Sequence, residues 1–329
     1  MDRLQSMRVF ARVIDEGSFA GAARALNLSP TVATRLVADL EDHLRARLVN
    51  RTTRRLALTD TGESYLERVR HILAEIDDAE ALAGAATSEP RGVVRVLCPP
   101  AFAVHQLAPR LPEFGARFPK VTIDLSAPGP VSTMDENFDL SILLVGPQKL
   151  EGEFVARLLA QSAWIVCASP EYLDRHGRPR RLRDFIDHQV LAPLNVREVL
   201  FHPDTQRRPG ARGRTATPAA PQTVALDPVR GTLGTNHIDT LYAAARAGLG
   251  IAGLPSFVVH PALQDGTLER VLLDWHMAEA QIYVAMPTRK YVPARTRALW
   301  NFLLEAFGGE AKDPWLARLR PVDRPQRRR

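Results

Sequence analysis

At 329 residues, 45 per cent apolar and 24 per cent charged, the chain has the composition of a globular protein long enough for two or three domains. Its net charge of +6 is almost all arginine, with lysine only at Lys120, Lys149, Lys290 and Lys312, and that excess suits phosphate contacts. Asp2 and the lack of an apolar leader argue against a signal peptide, and no apolar run approaches the ~18 residues of a membrane span. Cys98 and Cys167 sit in apolar strand-like runs, which predicts small buried core residues in a reducing cytosol.

Leu4–Asp15 reads as a first helix. The segment Ser18–Leu44 reads as two helices joined by a tight turn. Ser18 is a plausible N-cap of the first, with Ala22, Ala23 and Leu26 turned inward. Asn27 and Leu28 make the turn, Ser29 caps the second helix, and Pro30 takes its first position, where a missing N–H costs little. On that helix Ala33, Leu36, Val37, Leu40 and Leu44 share one face, and Thr31, Thr34 and Arg35 share another. A short polar face near a helix N-terminus, backed by a compact helix, suits the major groove of double-stranded DNA. The stretch Leu48–Leu58 then reads as two short strands around a basic tip, a wing whose arginines would reach phosphates or the adjacent minor groove.

Thr59–Thr61 starts a long helix expected to run to about Thr87, capped by Thr59 or Asp60, with Glu63 placed as in a capping box. Tyr65, Val69, Ile72, Ile76, Ala79, Ala83 and Ala86 recur at alternating spacings of four and three, a heptad seam that predicts pairing with a second copy of the chain. Packing of the stripe on the chain's own domains is the alternative. Ser88–Gly92 reads as a hinge.

From Val93 strands alternate with helices. Strands are expected at Val93–Leu97, Val121–Leu125, Leu140–Leu144, Trp164–Ala168, Ile251–Leu254 and Ile282–Ala285. Helices are expected at Val104–Phe118, Pro170–His176, Ile238–Ala247 and Ala294–Phe307. This alternation predicts an α/β domain with mostly parallel sheets, in two lobes with a small-molecule cleft between them. The stretch His202–Pro221, rich in proline and arginine, reads as a solvated loop, and the arginine-rich tail from Gly308 as disordered.

Enzymatic readings find little support. Gly248–Gly253 has the spacing of a dinucleotide-binding loop, but a helix precedes it and a strand begins inside it, the reverse of what that loop requires. Gly248 reads instead as a helix C-terminal residue. The nine histidines show no metal-ligand spacing. Ser256 lacks nucleophile-elbow glycines, and Glu151 and Glu153 read as a solvated edge. Neither a metal nor a catalytic group is expected. His237, beside Asn236, is the histidine best placed to touch a ligand, with a purely structural role the competing reading.

The runs MDRLQSMRVFARVIDEGSFAGAARALNLSP and LVNRTTRRLALTDTGESYL closely resemble the N-terminal region of LysR-type transcriptional regulators. LAPRLPEFGARFPKVTIDL, NFDLSI, CASPEYL, AGLGIAGLP and LWNFL, in that order, are similar to the family's effector-binding region over roughly residues 93–307. The fold implied is α + α/β: a winged helix-turn-helix domain (1–58), a linker or dimerisation helix and hinge (59–92), a two-lobed periplasmic-binding-protein-like effector-binding domain (93–307), and the basic tail (308–329). The resemblance implies a cytoplasmic, sequence-specific regulator acting at an inverted-repeat promoter site, as a homodimer or dimer of dimers, with RNA polymerase a further partner. It implies a small-molecule effector and no cofactor.

Carried over by position, Thr31, Thr34 and Arg35 match the recognition-helix sites and Arg51, Arg54 and Arg55 the wing; Ser29, Val32 and Thr52 complete the DNA-binding set. The effector cleft is implied at Pro100, Ala101 and Phe102, and at Thr235, Asn236 and His237. Self-association falls to Tyr65, Val69, Ile72, Ile76, Ala79 and Ala83. Three residues depart from the family pattern: Ala33 replaces a larger aliphatic, Leu36 a common polar residue, and Ala101 lacks a frequent hydroxyl. The competing reading is a small-molecule binding module whose N-terminal helices serve oligomerisation alone.

Overall fold

The computed structural model describes residues 2–51, 56–83, 89–146, 150–204, 220–226, 232–287 and 292–317. The expected wing tip at Thr52–Arg55, most of His202–Pro221 and the tail beyond Ala317 lie outside the described residues. The chain divides into two compact units, Met1–Gly92 and Val93–Arg329. No helix among the described residues is long and apolar enough to cross a membrane.

The first unit holds helices α1 (Arg3–Asp15), α2 (Phe19–Ala25) and α3 (Pro30–Leu44), strands β1 (Val49–Arg51) and β2 (Leu56–Leu58), and helix α4 (Asp60–Ala83). Each of the first three helices is started by a side chain that accepts an orphan N–H: Asp2 from Gln5, Ser18 from Gly21 and Ser29 from Val32. Asn27 takes a left-handed conformation, φ 55°, which its short polar side chain tolerates, and so turns α2 into α3. At α4 the cap is Thr59, whose Oγ1 accepts from the Gly62 N–H at 2.9 Å. Val9, Phe10, Val13, Ala22, Ala23, Ala33, Val37 and Leu40 are fully buried in one core.

That core corrects part of the heptad reading. The Tyr65 ring lies 6.0 Å from that of Phe10 on α1, and Val69 is fully buried beside Leu66 in the same cluster. These residues cover α1 of their own unit, because α1 leaves an apolar side that the first turns of α4 close. The Tyr65 hydroxyl is buried with no hydrogen-bond partner among the described residues, and burial raises its pKa. Ile72 is 43 per cent exposed and Ile76 half-buried, while the side chains of Ala79 and Ala83 are outside the description.

The second unit begins within β3 (Gly92–Leu97). A continuous helical run follows: α5 (Pro100–Phe102), a π-helical turn at Ala103–Leu107, a 3-10 turn at Ala108–Arg110, and α6 (Leu111–Arg117). Next come β4 (Val121–Ser126), β5 (Leu140–Val145), the long β6 (Phe154–Ala168) and α7 (Pro170–His176). A 3-10 turn at Leu182–Asp187 leads to β7 (Val190–Leu191), β8 (Glu198–Pro203) and β9 (Gln222–Ala225). The chain continues through α8 (Ile238–Arg246), β10 (Ile251–Pro255), α9 (Ser256–Gln264), β11 (Glu269–Arg270), β12 (Trp275–His276) and β13 (Ala278–Pro287). It closes with α10 (Ala294–Phe307) and α11 (Pro314–Ala317).

The main sheet runs β4-β3-β5-β13-β6-β10-β7, with β11 added to β6; β12-β8-β9 form a smaller antiparallel sheet. The expectation of mostly parallel strands does not hold. β3 and β5 are parallel, as are β7 and β10, but β6 and β13 run antiparallel to each other and to β10 and β5. These two long strands pass between the lobes, so each must run against the local parallel set. A register shift between Ile282 and Tyr283 leaves Leu159 as a bulge on β6.

Strand alternation separates the two faces of the sheet. Val94, Val96, Leu140, Ile142, Ile165, Cys167, Ala252, Leu254, Ile282 and Val284 join one continuous core with helices α5, α6, α8, α9, α10 and α11. Their neighbours split into two clusters, Leu97, Leu143, Val145 and Ala285 in the first lobe, and Val166, Ala168 and Ile251 in the second. The expected disordered tail is corrected for its first ten residues. Gly308–Ala317 is folded, with Asp313 and Trp315 buried, because Trp315 supplies an aromatic side chain that the helical layer covers.

Candidate DNA-reading face and effector cleft

The buried stripe of α3 fixes what the helix shows outward. Ala33, Leu36, Val37 and Leu40 anchor it, and Ser29, Thr31 and Arg35 stand exposed, with Val32 and Thr34 half-buried beside them. Leu36, which the resemblance marks as a departure, is part of that anchor. Thr34 Oγ1 donates to the Pro30 carbonyl at 2.9 Å. Its hydroxyl hydrogen is thereby used within the helix, and what remains for a partner is acceptor capacity and a methyl group.

Two supports of this face have no obvious sequence signature. Glu41, on the same helix, accepts from the N–H groups of Leu48 and Val49 at 2.7 and 3.0 Å. The recognition helix thus holds the start of β1 directly. Gly62 sits so close to the Leu48 backbone that a Cβ there would overlap the carbonyl oxygen. Thr59 N–H donates to that same carbonyl and Thr59 Oγ1 to Arg47 O. Leu58–Gly62 is therefore a close-approach turn joining the wing to α4. β1 and β2 pair Val49 with Leu58 and Arg51 with Leu56. Arg51 belongs to β1; Thr52, Arg54 and Arg55 lie outside the described residues.

In the second unit the two segments expected to line a cleft differ sharply. Pro100 is half-buried and Ala101 is buried at the start of α5, a helix with no side-chain cap and with Pro99 and Pro100 lacking N–H groups. Phe102 is corrected to a core residue: fully buried, its ring lies 5.6 Å from Phe257 and 5.4 Å from Phe307. A large aromatic side chain following a buried strand is drawn into the helical layer. Thr235, Asn236 and His237 form the approach to α8, with Asn236 and His237 exposed. Thr235 Oγ1 accepts from the His237 N–H, and His237 Nδ1 accepts from the Thr240 N–H at 3.3 Å. The ligand and structural readings of His237 therefore apply to different atoms: Nδ1 caps α8, and Nε2 lies on the other side of the ring, 4.0 Å from Asp239.

What joins the two segments is a pair the sequence did not single out. His105, in the π-helical turn after Phe102, places Nε2 2.8 Å from Asp239 Oδ1, and its ring meets Tyr242 edge-on at 5.2 Å. One partner follows Pro100–Phe102 by a single turn and the other follows His237 by two residues, so the pair bridges the lobes beside both. Gly234 lies directly under Leu194, an exposed leucine after β7. Burial pushes the Cys98 thiol up and the Cys167 thiol up to about 12, so both are free but unreactive. Gly248 ends α8 with φ 77° and precedes β10, as the helix C-terminal reading requires. Among the described residues, no three His, Cys, Asp or Glu side chains are grouped to hold a metal ion.

Residues 4–63 match the bacterial regulatory helix-turn-helix protein family of the LysR type, and residues 87–308 match the LysR substrate binding domain. An HTH-type transcriptional repressor of Pseudomonas aeruginosa is 32 per cent identical over 307 residues, covering 93 per cent of both chains. The HTH-type transcriptional regulator CrgA of Neisseria meningitidis is 32 per cent identical over 311 residues, covering 92 per cent of this chain and 97 per cent of that protein. The solved structure of CrgA superimposes with a TM-score of 0.53 at 28 per cent identity, over 92 per cent of this chain and 98 per cent of that one. The full-length virulence activator AphB of Vibrio cholerae shares the fold, with a TM-score of 0.54 at 24 per cent identity over 92 and 98 per cent of the two chains. With a helix-turn-helix DNA-binding unit followed by an effector-binding domain, the chain belongs to the LysR family of transcriptional regulators.

Proposed function

We propose that this regulator reads an inverted-repeat promoter site as a homodimer or dimer of dimers in the cytoplasm, and that a small-molecule effector between its lobes shifts it between two DNA-bound arrangements and alters its contact with RNA polymerase. The observation that carries the DNA reading is the two-sided α3, where Thr31 and Arg35 are exposed opposite the buried Ala33, Val37 and Leu40. Arg35 pairs with a guanine edge, Thr31 and Thr34 contact neighbouring bases, Val32 packs on a methyl group, and Ser29 meets a phosphate at the start of the helix. Arg51, Thr52, Arg54 and Arg55 supply backbone or minor-groove contacts from the wing. Pro100, Ala101, Thr235, Asn236 and His237 border the effector, with Phe102 supporting from the core. Ile72, Ile76, Ala79 and Ala83 form the inter-chain part of the seam, and Tyr65 and Val69 brace it from within.

The experiment is a genome-wide footprint of the full chain. The expected result is a set of sites with two half-sites about one helical turn apart, and neighbouring genes that point to the effector. Uniform occupancy with no shared motif refutes the reading and favours an oligomerisation role for the N-terminal helices. On a recovered site, Arg54→Ala lowers the dependence of log K on log salt by about one ion.

A further inference from the structure

Gly308–Ala317 is attached where the two lobes meet. It runs along the middle of β6, from the bulge at Leu159 to Ala163. The Gly309 N–H donates to Leu159 O at 3.1 Å, the Gln161 N–H to Lys312 O at 2.9 Å, and the Ala163 N–H to Asp313 Oδ2 at 2.8 Å. Asp313 is only 7 per cent exposed. The same Oδ2 accepts from Ser256 Oγ, the first residue of α9, at 2.6 Å, and Ser256 Oγ also meets Ser162 Oγ at 2.8 Å. Oδ1 accepts from the N–H groups of Trp315 and Leu316, which starts α11. Trp315 then packs on Phe257 and Phe307 and donates Nε1–H to Gln106 Oε1 at 3.0 Å, while Gln106 Nε2 donates to Phe257 O. One short segment therefore holds the bulged crossing strand, α9 of the second lobe and the π-helical turn of the first.

We infer that Gly308–Ala317 is a hinge brace that sets the angle between the lobes of the effector-binding domain, with Asp313 as its positioning residue. Lobe movement requires a few residues of the crossing strands to change conformation. Here Leu159 O at the bulge and the N–H groups of Gln161 and Ala163 beyond it are engaged by the brace. A buried carboxylate cannot give up its donors without a large penalty, so Asp313 favours one lobe angle over a continuum of angles. The brace acts whether or not an effector is present, and an effector that closes the lobes must work against it.

The test reads the inter-lobe distance in the ligand-free, full-length protein. Spin labels are placed at Glu113→Cys on α6 and Arg183→Cys in the second lobe, in chains diluted with unlabelled protein. Cys98 and Cys167 are buried and do not take label. Asp313→Asn keeps the shape but turns one acceptor oxygen into a donor that faces donors; Ser256→Ala removes the hydroxyl bonds of Ser256 to Asp313 and Ser162 and keeps the packing of Trp315 on Phe257. The parent protein gives one narrow distance distribution. Asp313→Asn shifts or broadens it by more than its own half-width, and Ser256→Ala does the same to a smaller degree. If Asp313→Asn does not fold, Ser256→Ala decides. Distributions that superimpose on the parent, whatever the change in melting temperature, overturn the inference and leave the segment a stabilising patch.

Discussion

In residues 1–92 the proposed reading face lies within one helix, from Ser29 to Arg35, and its supports Glu41, Leu48 and Gly62 follow within a few turns. In residues 93–317 the groups that meet are far apart in the chain: His105 and Asp239 by 134 residues, Gln106 and Trp315 by 209. The difference is one of address. A local face is specified by helical periodicity and caps, so substitutions there act one element at a time. A non-local face depends on sheet order and on which segments the helical layer brings together, so its residues act through the whole domain.

The largest effect expected is at Gly62. Gly62→Ala drives a methyl into the Leu48 carbonyl and costs the first unit about 3 kcal/mol. Urea denaturation then separates an early transition of this unit from an unchanged later one; a single shifted transition would show that the two units do not unfold separately. Glu41→Ala leaves the Leu48 and Val49 amides without their acceptor and lowers the same transition by about 2 kcal/mol. Ser29→Ala removes one cap and costs about 1 kcal/mol, visible as fraying of α3 in hydrogen exchange.

The smallest effect is specific to the second unit. His188 and His276 have pKa values pushed below the ordinary 6.5, first of all by burial. Between 6.5 and those lower values the unfolded chain binds more protons than the folded one, so stability falls as pH falls through that window. Calorimetry from pH 7 to 5 shows the second transition moving down, and His188→Gln reduces that slope. A slope unchanged by the substitution would show that His188 does not carry this effect.

Legibility followed the same division. The start of α3 was readable from Ser29-Pro30 alone, because a cap and an N1 proline are local chemistry. In the structure Ser169-Pro170 likewise starts α7, and Pro293 and Gly308 flank α10. The heptad seam was read in part, since spacing shows that Tyr65 and Val69 are on an apolar stripe but not whose core they enter. Helix α9 went unread because Pro261 interrupts an apolar run too short to show its period. Asp313-Pro314 is a cap-and-proline signal as clear as Ser29-Pro30, yet the basic composition around it masked the fold of Trp315. His105 and Asp239 carried no signal, because nothing in either segment announces the other.

Whether α3 reads sequence is decided by Arg35→Ala. With a recovered operator and random DNA of equal length and salt, the substitution lowers operator affinity about ten- to a hundredfold and affinity for random DNA much less. Equal losses on both would contradict sequence reading by α3 and reduce Arg35 to a phosphate contact.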